Sequence, residues 1–196
     1  MPPAPPNWIS LLIAKLCHDL ASPLGAMGLG IEILESNPRD QETFQTLKES
    51  HQNALIRLKL YQLVFSENPS AGEVCSFLQR LCHLKNVKLQ QHGNFPSPPS
   101  LLNIITALAY LSVETLINGG TLDLHFDGLH TRFHAYGPRV LWNPSLLKIL
   151  MDPVVDEKAW ETRTAFMGYV RYQCQRINKK IDYHAPDVHT FTLTLL

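Results

Sequence analysis

The first third of the chain has apolar residues at steps of three and four, the period of an α-helix that buries one side. One such series predicts a single long amphipathic helix, for which Asn7 is a suitable N-cap. A second series predicts another helix of similar length after residues 36–40, Ser-Asn-Pro-Arg-Asp, which are typical of a turn. Two helices joined by a short turn form an antiparallel hairpin. The first series is Ile9, Ile13, Leu16, Leu20, Leu24, Met27, Ile31 and Leu34, and the second is Phe44, Leu47, Ala54, Leu55, Leu58, Tyr61 and Phe65.

The second predicted helix carries more apolar residues than one partner helix can cover. Ile56, Leu60 and Val64 lie on a flank beside the main series. An uncovered apolar flank needs a partner, and two such hairpins make a four-helix bundle. The pattern therefore predicts a homodimer that is built through a four-helix bundle.

A change of pattern at residues 66–72, Ser-Glu-Asn-Pro-Ser-Ala-Gly, marks a linker. Beyond it the sequence predicts a helix over residues 73–85 and a short strand over 87–90. An apolar helix over residues 101–117 follows, and it stops at a pair of glycines. We therefore predict two domains, the helical hairpin over residues 1–68 and a second domain over residues 72–196.

From Thr121 onward apolar and polar residues alternate, which is the period of a strand with one buried face. The dipeptide Asp127-Gly128 divides the alternating stretch and is a strong β-hairpin signal. A two-residue turn at that point predicts one apolar face and one charge-matched face. The predicted cross-strand pairs are Asp123 with Arg132 and Leu122 with Phe133.

The C-terminal residues predict a short helix over residues 143–150, a long helix over 156–182 and a final strand over 188–195. Helices that cover one face of a sheet define an α+β arrangement. The predicted fold class is therefore α+β, with an N-terminal antiparallel helical hairpin followed by a sandwich of helices on a sheet.

Composition and charge limit the function classes. The chain has 196 residues, and its 45% hydrophobic and 17% charged residues indicate a globular rather than a disordered protein. Basic and acidic residues both number 17, so no excess positive charge favours nucleic acid or an anionic membrane. The longest uncharged apolar run, residues 101–113, is shorter than the roughly 18 residues of a membrane span. Four cysteines without a CxxC pair fit a reducing compartment. We expect a soluble, cytoplasmic protein that binds neither nucleic acid nor membrane.

The segment around His18 breaks the local rules of helix formation. At about 100° per residue, His18 lies roughly 200° from Leu16 and from Leu20, so its ring points away from the seam of the hairpin. Pro23 withholds a hydrogen bond from the carbonyl of Asp19 and bends the helix one turn after His18. An exposed imidazole among residues that break local rules favours a functional site, and the geometry suits a nucleophile. Its neighbours one turn away are small or polar: Ala14, Lys15, Ala21 and Ser22.

The motif His-Asp-x-x-Ser-Pro-Leu, residues 18–24, resembles the H-box of the dimerisation and phosphoacceptor helix of bacterial histidine kinases. The longer segment 16–34, with a cysteine before the histidine and Gly-Ala-Met-x-x-Gly after the motif, resembles the ChpT-type histidine phosphotransferases of bacterial phosphorelays. That resemblance implies a homodimer in which a kinase-like helical hairpin precedes a degenerate ATPase-like domain. It makes His18 the phosphoacceptor and Asp19 its acidic neighbour. It also implies two kinds of partner, the receiver domain of a hybrid histidine kinase and response regulators.

Lys15 and Ser22 are added to this candidate site on geometry alone. Both lie one helical turn from His18, where a cation or a hydroxyl can contact phosphoryl oxygens.

A kinase ATP domain needs an Asp-x-Gly-x-Gly turn and a later glycine-rich lid, and neither occurs in this sequence. Asn103 lacks the acidic residue four positions earlier that would accompany a magnesium-binding asparagine. We therefore predict a histidine phosphotransferase that moves a phosphoryl group between receiver aspartates through phosphohistidine at His18. It would have no cofactor of its own, and Mg²⁺ would come from the partner receiver domain. Two alternatives stay open, an ATP-using histidine kinase and a non-catalytic dimeric adaptor for two-component proteins.

Three histidines of the predicted β-hairpin are weaker candidates. His125, His130 and His134 fall on its solvated face, with no carboxylate or thiol at a fixed spacing. The pattern therefore does not favour a metal site.

Overall fold

The computed structural model of the protein describes residues 7–96, 98–151, 161–162 and 164–196. Within those residues, helices precede and cover one mixed sheet, so the predicted α+β class is confirmed. The helices are α1 (Asn7–Ser36), α2 (Gln41–Phe65), α3 (Ala71–Leu84), α4 (Pro99–Thr115), α5 (Pro144–Met151) and α6 (Ala165–Arg176). The strands are β1 (Val87–His92), β2 (Gly120–Phe126), β3 (Thr131–Tyr136), β4 (Ile181–His184) and β5 (Thr190–Leu195).

Helices α1 and α2 form the predicted antiparallel hairpin. Asp40 caps α2, because its carboxylate accepts two main-chain hydrogen bonds of 3.1 Å from the first turn. Near the turn, Gly30 lets the helices come close, since a Cβ there would lie 3.4 Å from Leu47. Pro23 lies inside α1 and is buried. These contacts set Asp19 of α1 level with the C-terminal half of α2.

The sheet has the strand order β1-β2-β3-β5-β4. Strands β1 and β2 are parallel, and all the other neighbours are antiparallel. Helix α4 packs on the sheet with an almost entirely buried, apolar surface. The apolar face of the three central strands is fully buried through Leu122, Leu124, Phe133, Ala135, Phe191, Leu193 and Leu195.

The β2–β3 hairpin has the predicted apolar and polar faces, but neither the predicted register nor the predicted charge matching. Asp123 pairs with His134 and not with Arg132. The connection has four residues, 127–130, because the Asp127 carboxylate accepts two main-chain hydrogen bonds within it. Side chains alternate along a strand, so a shift of two residues leaves each of them on its predicted face. The observed pairs include Leu122 with Ala135 and Leu124 with Phe133.

The prediction of one long helix over residues 156–182 is wrong. Helix α6 ends at Arg176, and Asn178 then adopts a left-handed conformation with φ of 55°. Residues 181–184 form strand β4, which pairs with β5 at the edge of the sheet. Only two apolar residues alternate in this strand, too few to stand out beside the helical pattern before it. The earlier part of the predicted helix, residues 156–160 and 163, lies outside the described residues.

One flank of α2 is covered by the chain itself. Leu60 and Val64 are each 2% exposed, and α2 packs against α3 and α4 on this side. The short linker before α3 folds the second half of the chain back onto the hairpin. We predicted that a second copy of the chain covers Ile56, Leu60 and Val64. That prediction is wrong for Leu60 and Val64, while Ile56 is half-buried.

The hairpin has other apolar residues that this chain leaves uncovered. Some of them form one stripe on each helix, within about 20° of one another around α1 and about 60° around α2, while Leu29 and Ile33 are exposed on the opposite side of α1. Residues 9–36 of α1 are long and apolar enough to cross a membrane by length and composition alone, and little of this stretch is buried. The stripes are Ile13, Leu24 and Ile31 on α1 and Phe44, Leu55 and Leu58 on α2, each 40–58% exposed.

Candidate functional site

His18 lies on the outer side of α1, as its position in the helical pattern predicts. Its side chain is 80% exposed. Cys17, Ala21 and Ser22 beside it are exposed too, and they leave the ring free of large neighbours. A molecule in solution can therefore reach the imidazole directly.

The ring stands at the edge of a cleft between the hairpin and the second half of the chain. Lys15 and His18 form the α1 side of this cleft, and Glu161 and Thr162 form the opposite side, just before α6. Its volume is about 320 Å³. The cleft is thus shared by both parts of the chain.

The carboxylate of Asp19 is held in place by three side chains. Lys15, one turn earlier on α1, forms a hydrogen-bonded ion pair with Oδ1. The hydroxyl of Tyr61 on α2 donates a 2.7 Å hydrogen bond to Oδ2. Nη1 of Arg57, also on α2, lies 3.7 Å from Oδ1 and donates a 2.8 Å hydrogen bond to the main-chain oxygen of Asp19. Nδ1 of His18 lies 3.5 Å from the same Oδ1.

These contacts keep the Asp19 carboxylate ionised. Its partial burial on its own would raise the carboxyl pKa. Hydrogen bonds from Lys15 and Tyr61, together with the charges of Lys15 and Arg57, outweigh that effect and hold the pKa below its ordinary value. Burial and the neighbouring carboxylate also raise the pKa of Tyr61, so its hydroxyl keeps its proton for the hydrogen bond. The result is a fixed negative charge beside an exposed imidazole.

The two side chains that geometry added to the site have different surroundings. Lys15 is 24% exposed and its ammonium group binds Asp19, so it does not stand free at the phosphoryl position expected from the sequence. Ser22 is exposed, and its hydroxyl makes no hydrogen bond to another described residue. The structure brings Lys15, His18 and Asp19 together and leaves Ser22 outside this group of contacts.

Arg57 and Tyr61 were not predicted from the sequence. They lie four residues apart and so share a side of α2. When the two predicted helices are folded back at the turn, residue 19 comes level with residues 57–61. Their position opposite residue 19, together with their polar ends, is the sequence signal from which Arg57 and Tyr61 could have been predicted as site residues.

Metal-ligating side chains are dispersed in the part of the chain that the structure describes. There, no three His, Cys, Asp or Glu residues are close enough to hold a metal ion. His134 instead shares a 3.0 Å hydrogen bond with Thr192, and His130 lies 3.4 Å from the Asp127 carboxylate.

The fold as a whole matches a solved phosphotransferase. The chain aligns with a 1.7 Å structure of a bacterial phosphotransferase at a TM-score of 0.83. The alignment covers 97% of this chain and 96% of the other, and the sequences are 18% identical. At this identity the match establishes a shared fold.

A sequence relative gives a narrower similarity. The protein phosphotransferase ChpT of Brucella abortus (strain 2308) is 38% identical over 63 residues, which are 32% of this chain and 30% of the relative. The chain therefore matches less than a third of that relative's length. No family model matches the chain. The structural match shows a shared fold, and the sequence match shows similarity to part of ChpT.

Proposed function

We propose that this protein is a homodimeric histidine phosphotransferase that carries a phosphoryl group on His18 between aspartates of receiver domains. The observation that carries the proposal is the geometry of His18, an 80% exposed ring whose Nδ1 faces an ionised, firmly held carboxylate. The shared fold with a bacterial phosphotransferase and the partial identity with ChpT support the same function.

The first chemical step is attack by His18 on an aspartyl phosphate. Nδ1 faces Oδ1 of Asp19 at 3.5 Å, which leaves Nε2 as the attacking nitrogen. The lone pair of Nε2 forms a bond to phosphorus while the bond between phosphorus and the carboxylate oxygen of the receiver aspartate breaks. The aspartate leaves as a carboxylate, and the imidazole keeps its Nδ1 proton. Transfer to a second receiver reverses these bond changes.

Asp19 favours this step in two ways. A carboxylate close to Nδ1 stabilises the tautomer that has its proton there, so the lone pair is on Nε2. The same negative charge stabilises the ring as positive charge develops on it during attack. Phosphoryl transfer depends mainly on positioning and charge neutralisation, so a fixed carboxylate is a useful part of the site.

We propose that the protein supplies no cofactor of its own and that Mg²⁺ comes from the receiver domain. The carboxylate nearest His18 is already occupied by Lys15 and Tyr61, and both of its oxygens accept hydrogen bonds. A cation bound there would have to displace a lysine. The phosphate charge is then neutralised from the receiver's side of the interface.

A second copy of the chain is the proposed cover for the exposed stripes on the hairpin. Each stripe has the spacing of a bundle interface, and pairing two hairpins buries both stripes in a four-helix bundle. We propose residues 1–68 as this dimerisation and phosphoacceptor unit and residues 72–196 as a degenerate, ATPase-like unit. Burial of the α1 stripe in a dimer fits a soluble, cytoplasmic protein.

One contact disfavours the alternative that the protein uses ATP. The side-chain amide of Asn103 donates to the main-chain oxygens of Leu63 and Ser66, so this asparagine is engaged by the hairpin.

Radiolabelled phosphoryl donors test the proposal. We expect label that is stable to base and labile to acid on the wild type after incubation with phosphoramidate or with a phosphorylated receiver domain. The label should be absent from His18→Gln and unchanged in His51→Gln, which alters an exposed histidine of the same hairpin.

Each alternative has its own outcome. Retention of label by His18→Gln, or no label on the wild type from either donor, would overturn the proposal. If the wild type binds receiver domains but takes up no label, the protein is an adaptor. Calorimetric binding of ATP, followed by labelling of His18 from that ATP, would indicate a kinase.

A further inference from the structure

Among the described residues near His18, Arg57 is the side chain that donates a hydrogen bond to the main chain of the site. Its Nη1 donates a 2.8 Å hydrogen bond to the carbonyl oxygen of Asp19, and the same nitrogen is 3.7 Å from Oδ1 of that residue. The arginine belongs to α2 and Asp19 to α1, so the contact crosses the seam of the hairpin. One guanidinium group therefore holds both the main chain and the side chain of the residue next to His18.

The carbonyl of Asp19 needs a donor because of the residue four positions later. In a regular helix the N–H of residue 23 would donate to the oxygen of residue 19. Pro23 has no N–H, and its ring pushes that carbonyl away. A helix carbonyl that lacks its main-chain donor is stabilised when a side chain supplies the hydrogen bond. The guanidinium of Arg57 occupies the place of the missing donor.

We propose that Arg57 is a positioning residue that supplies the hydrogen bond withheld by Pro23 and thereby holds the Asp19 carboxylate against Nδ1 of His18. The inference rests on the proposed function of His18. An arginine suits the task better than a lysine, since its guanidinium keeps its N–H donors in a fixed plane while an ammonium group acts as a single point charge.

A double-mutant cycle between positions 23 and 57 tests this role. Pro23→Ala restores an N–H to the helix, and Arg57→Met removes the guanidinium and retains most of the apolar stem. We expect Arg57→Met to lower the rate of phosphoryl transfer to His18 about tenfold with Pro23 in place, and less than about threefold in the Pro23→Ala background. The Michaelis constant for the receiver domain should stay the same.

Two readouts do not need phosphoryl transfer. The ¹⁵N chemical shifts of the His18 ring report the tautomer, and Arg57→Met should lower the fraction protonated at Nδ1. The urea midpoint should fall less on loss of Arg57 in the Pro23→Ala background than in the wild-type background. Arg57→Lys should give an intermediate tautomer fraction. Lys59→Met is the control, because this neighbouring cation pairs with Glu73 and lies outside the site.

The outcomes separate this inference from the proposed function. If the wild type accepts no phosphate, the function fails, while the urea cycle and the tautomer fraction still decide the role of Arg57. The inference would be overturned if Arg57→Met lowered the transfer rate equally with Pro23 in place and in the Pro23→Ala background. An unchanged His18 tautomer in Arg57→Met would overturn it as well. An increased Michaelis constant without any effect of Pro23→Ala would overturn it too, because Arg57 would then contact the receiver or the phosphate itself.

Discussion

Nδ2 of Asn103 donates a 2.6 Å hydrogen bond to the main-chain oxygen of Leu63 and a second one, of 3.1 Å, to that of Ser66. The asparagine belongs to α4, and the two carbonyls lie at the C-terminal end of α2. The last four carbonyls of a helix have no partner within it, so α2 needs a donor from outside. Asn103 provides that donor and ties the hairpin to the second half of the chain.

Loss of this amide should destabilise the protein. We expect Asn103→Leu to lower the free energy of unfolding by about 1–3 kcal/mol, because two carbonyls near the core lose their donor. Equilibrium denaturation in urea measures the change. Gln52→Leu, on the exposed side of α2, is the control and should change it by less than about 0.5 kcal/mol. Equal effects of the two variants would contradict the role given to Asn103.

Sequence patterns were sufficient for the parts of the fold that have a long, regular period. The apolar series from Ile9 to Leu34 repeats over eight positions, and α1 covers it fully. The same periodicity set the outward direction of His18, because its angle around the helix follows from the neighbours alone. The alternation on both sides of Asp127 likewise identified β2 and β3 with their buried faces.

The features that were missed depend on contacts between distant residues. The register of β2 and β3 was set by hydrogen bonds to Asp127 that lengthen the turn. Strand β4 is defined by its pairing with β5, and its own four residues show little pattern. The contacts of Asp19 with Arg57 and Tyr61 span about 40 positions along the chain. Such contacts emerge only after the hairpin has been folded.

A substitution that introduces a charge into the exposed stripe of α1 tests the oligomeric state. Ile31 is 49% exposed and lies more than three turns from His18, so Ile31→Glu should disrupt a dimer without touching the site. We expect the wild type to sediment as a dimer and this variant as a monomer. Leu129→Glu is the control, since Leu129 is 75% exposed on the β2–β3 connection. A monomeric wild type, or a dimer that persists in Ile31→Glu, would contradict the predicted bundle.

Lys15 and Ser22 should differ in their effects on phosphoryl transfer. Lys15→Met removes a charge-assisted hydrogen bond from Asp19, so we expect the rate of His18 phosphorylation to fall about tenfold. Ser22→Ala removes a hydroxyl that contacts no other described residue, and the rate should stay within about twofold. Initial rates with phosphoramidate measure both effects without a partner protein. A larger loss in Ser22→Ala than in Lys15→Met would contradict this difference and indicate that the hydroxyl contacts the phosphoryl group.

The lowered pKa of Asp19 predicts how its contribution to stability depends on pH. A carboxyl group that is more acidic in the folded state than in the unfolded state stabilises the fold at pH values above its ordinary pKa. That contribution is lost as the pH falls from about 4, the ordinary value, through the lower folded value. Asp19→Asn should therefore have a lower thermal midpoint than the wild type at neutral pH, and the difference should shrink below about pH 4.

Thermal melts of both proteins at several pH values measure this difference. Asp182→Asn removes an exposed carboxylate from β4 and is the matched control for the loss of one negative charge. A difference specific to Asp19→Asn that shrinks on acidification shows that Lys15, Tyr61 and Arg57 hold an ionised carboxylate. A difference that grows on acidification would show that the carboxylate destabilises the fold when ionised. Asp19 could then not act as a fixed negative charge beside the ring of His18.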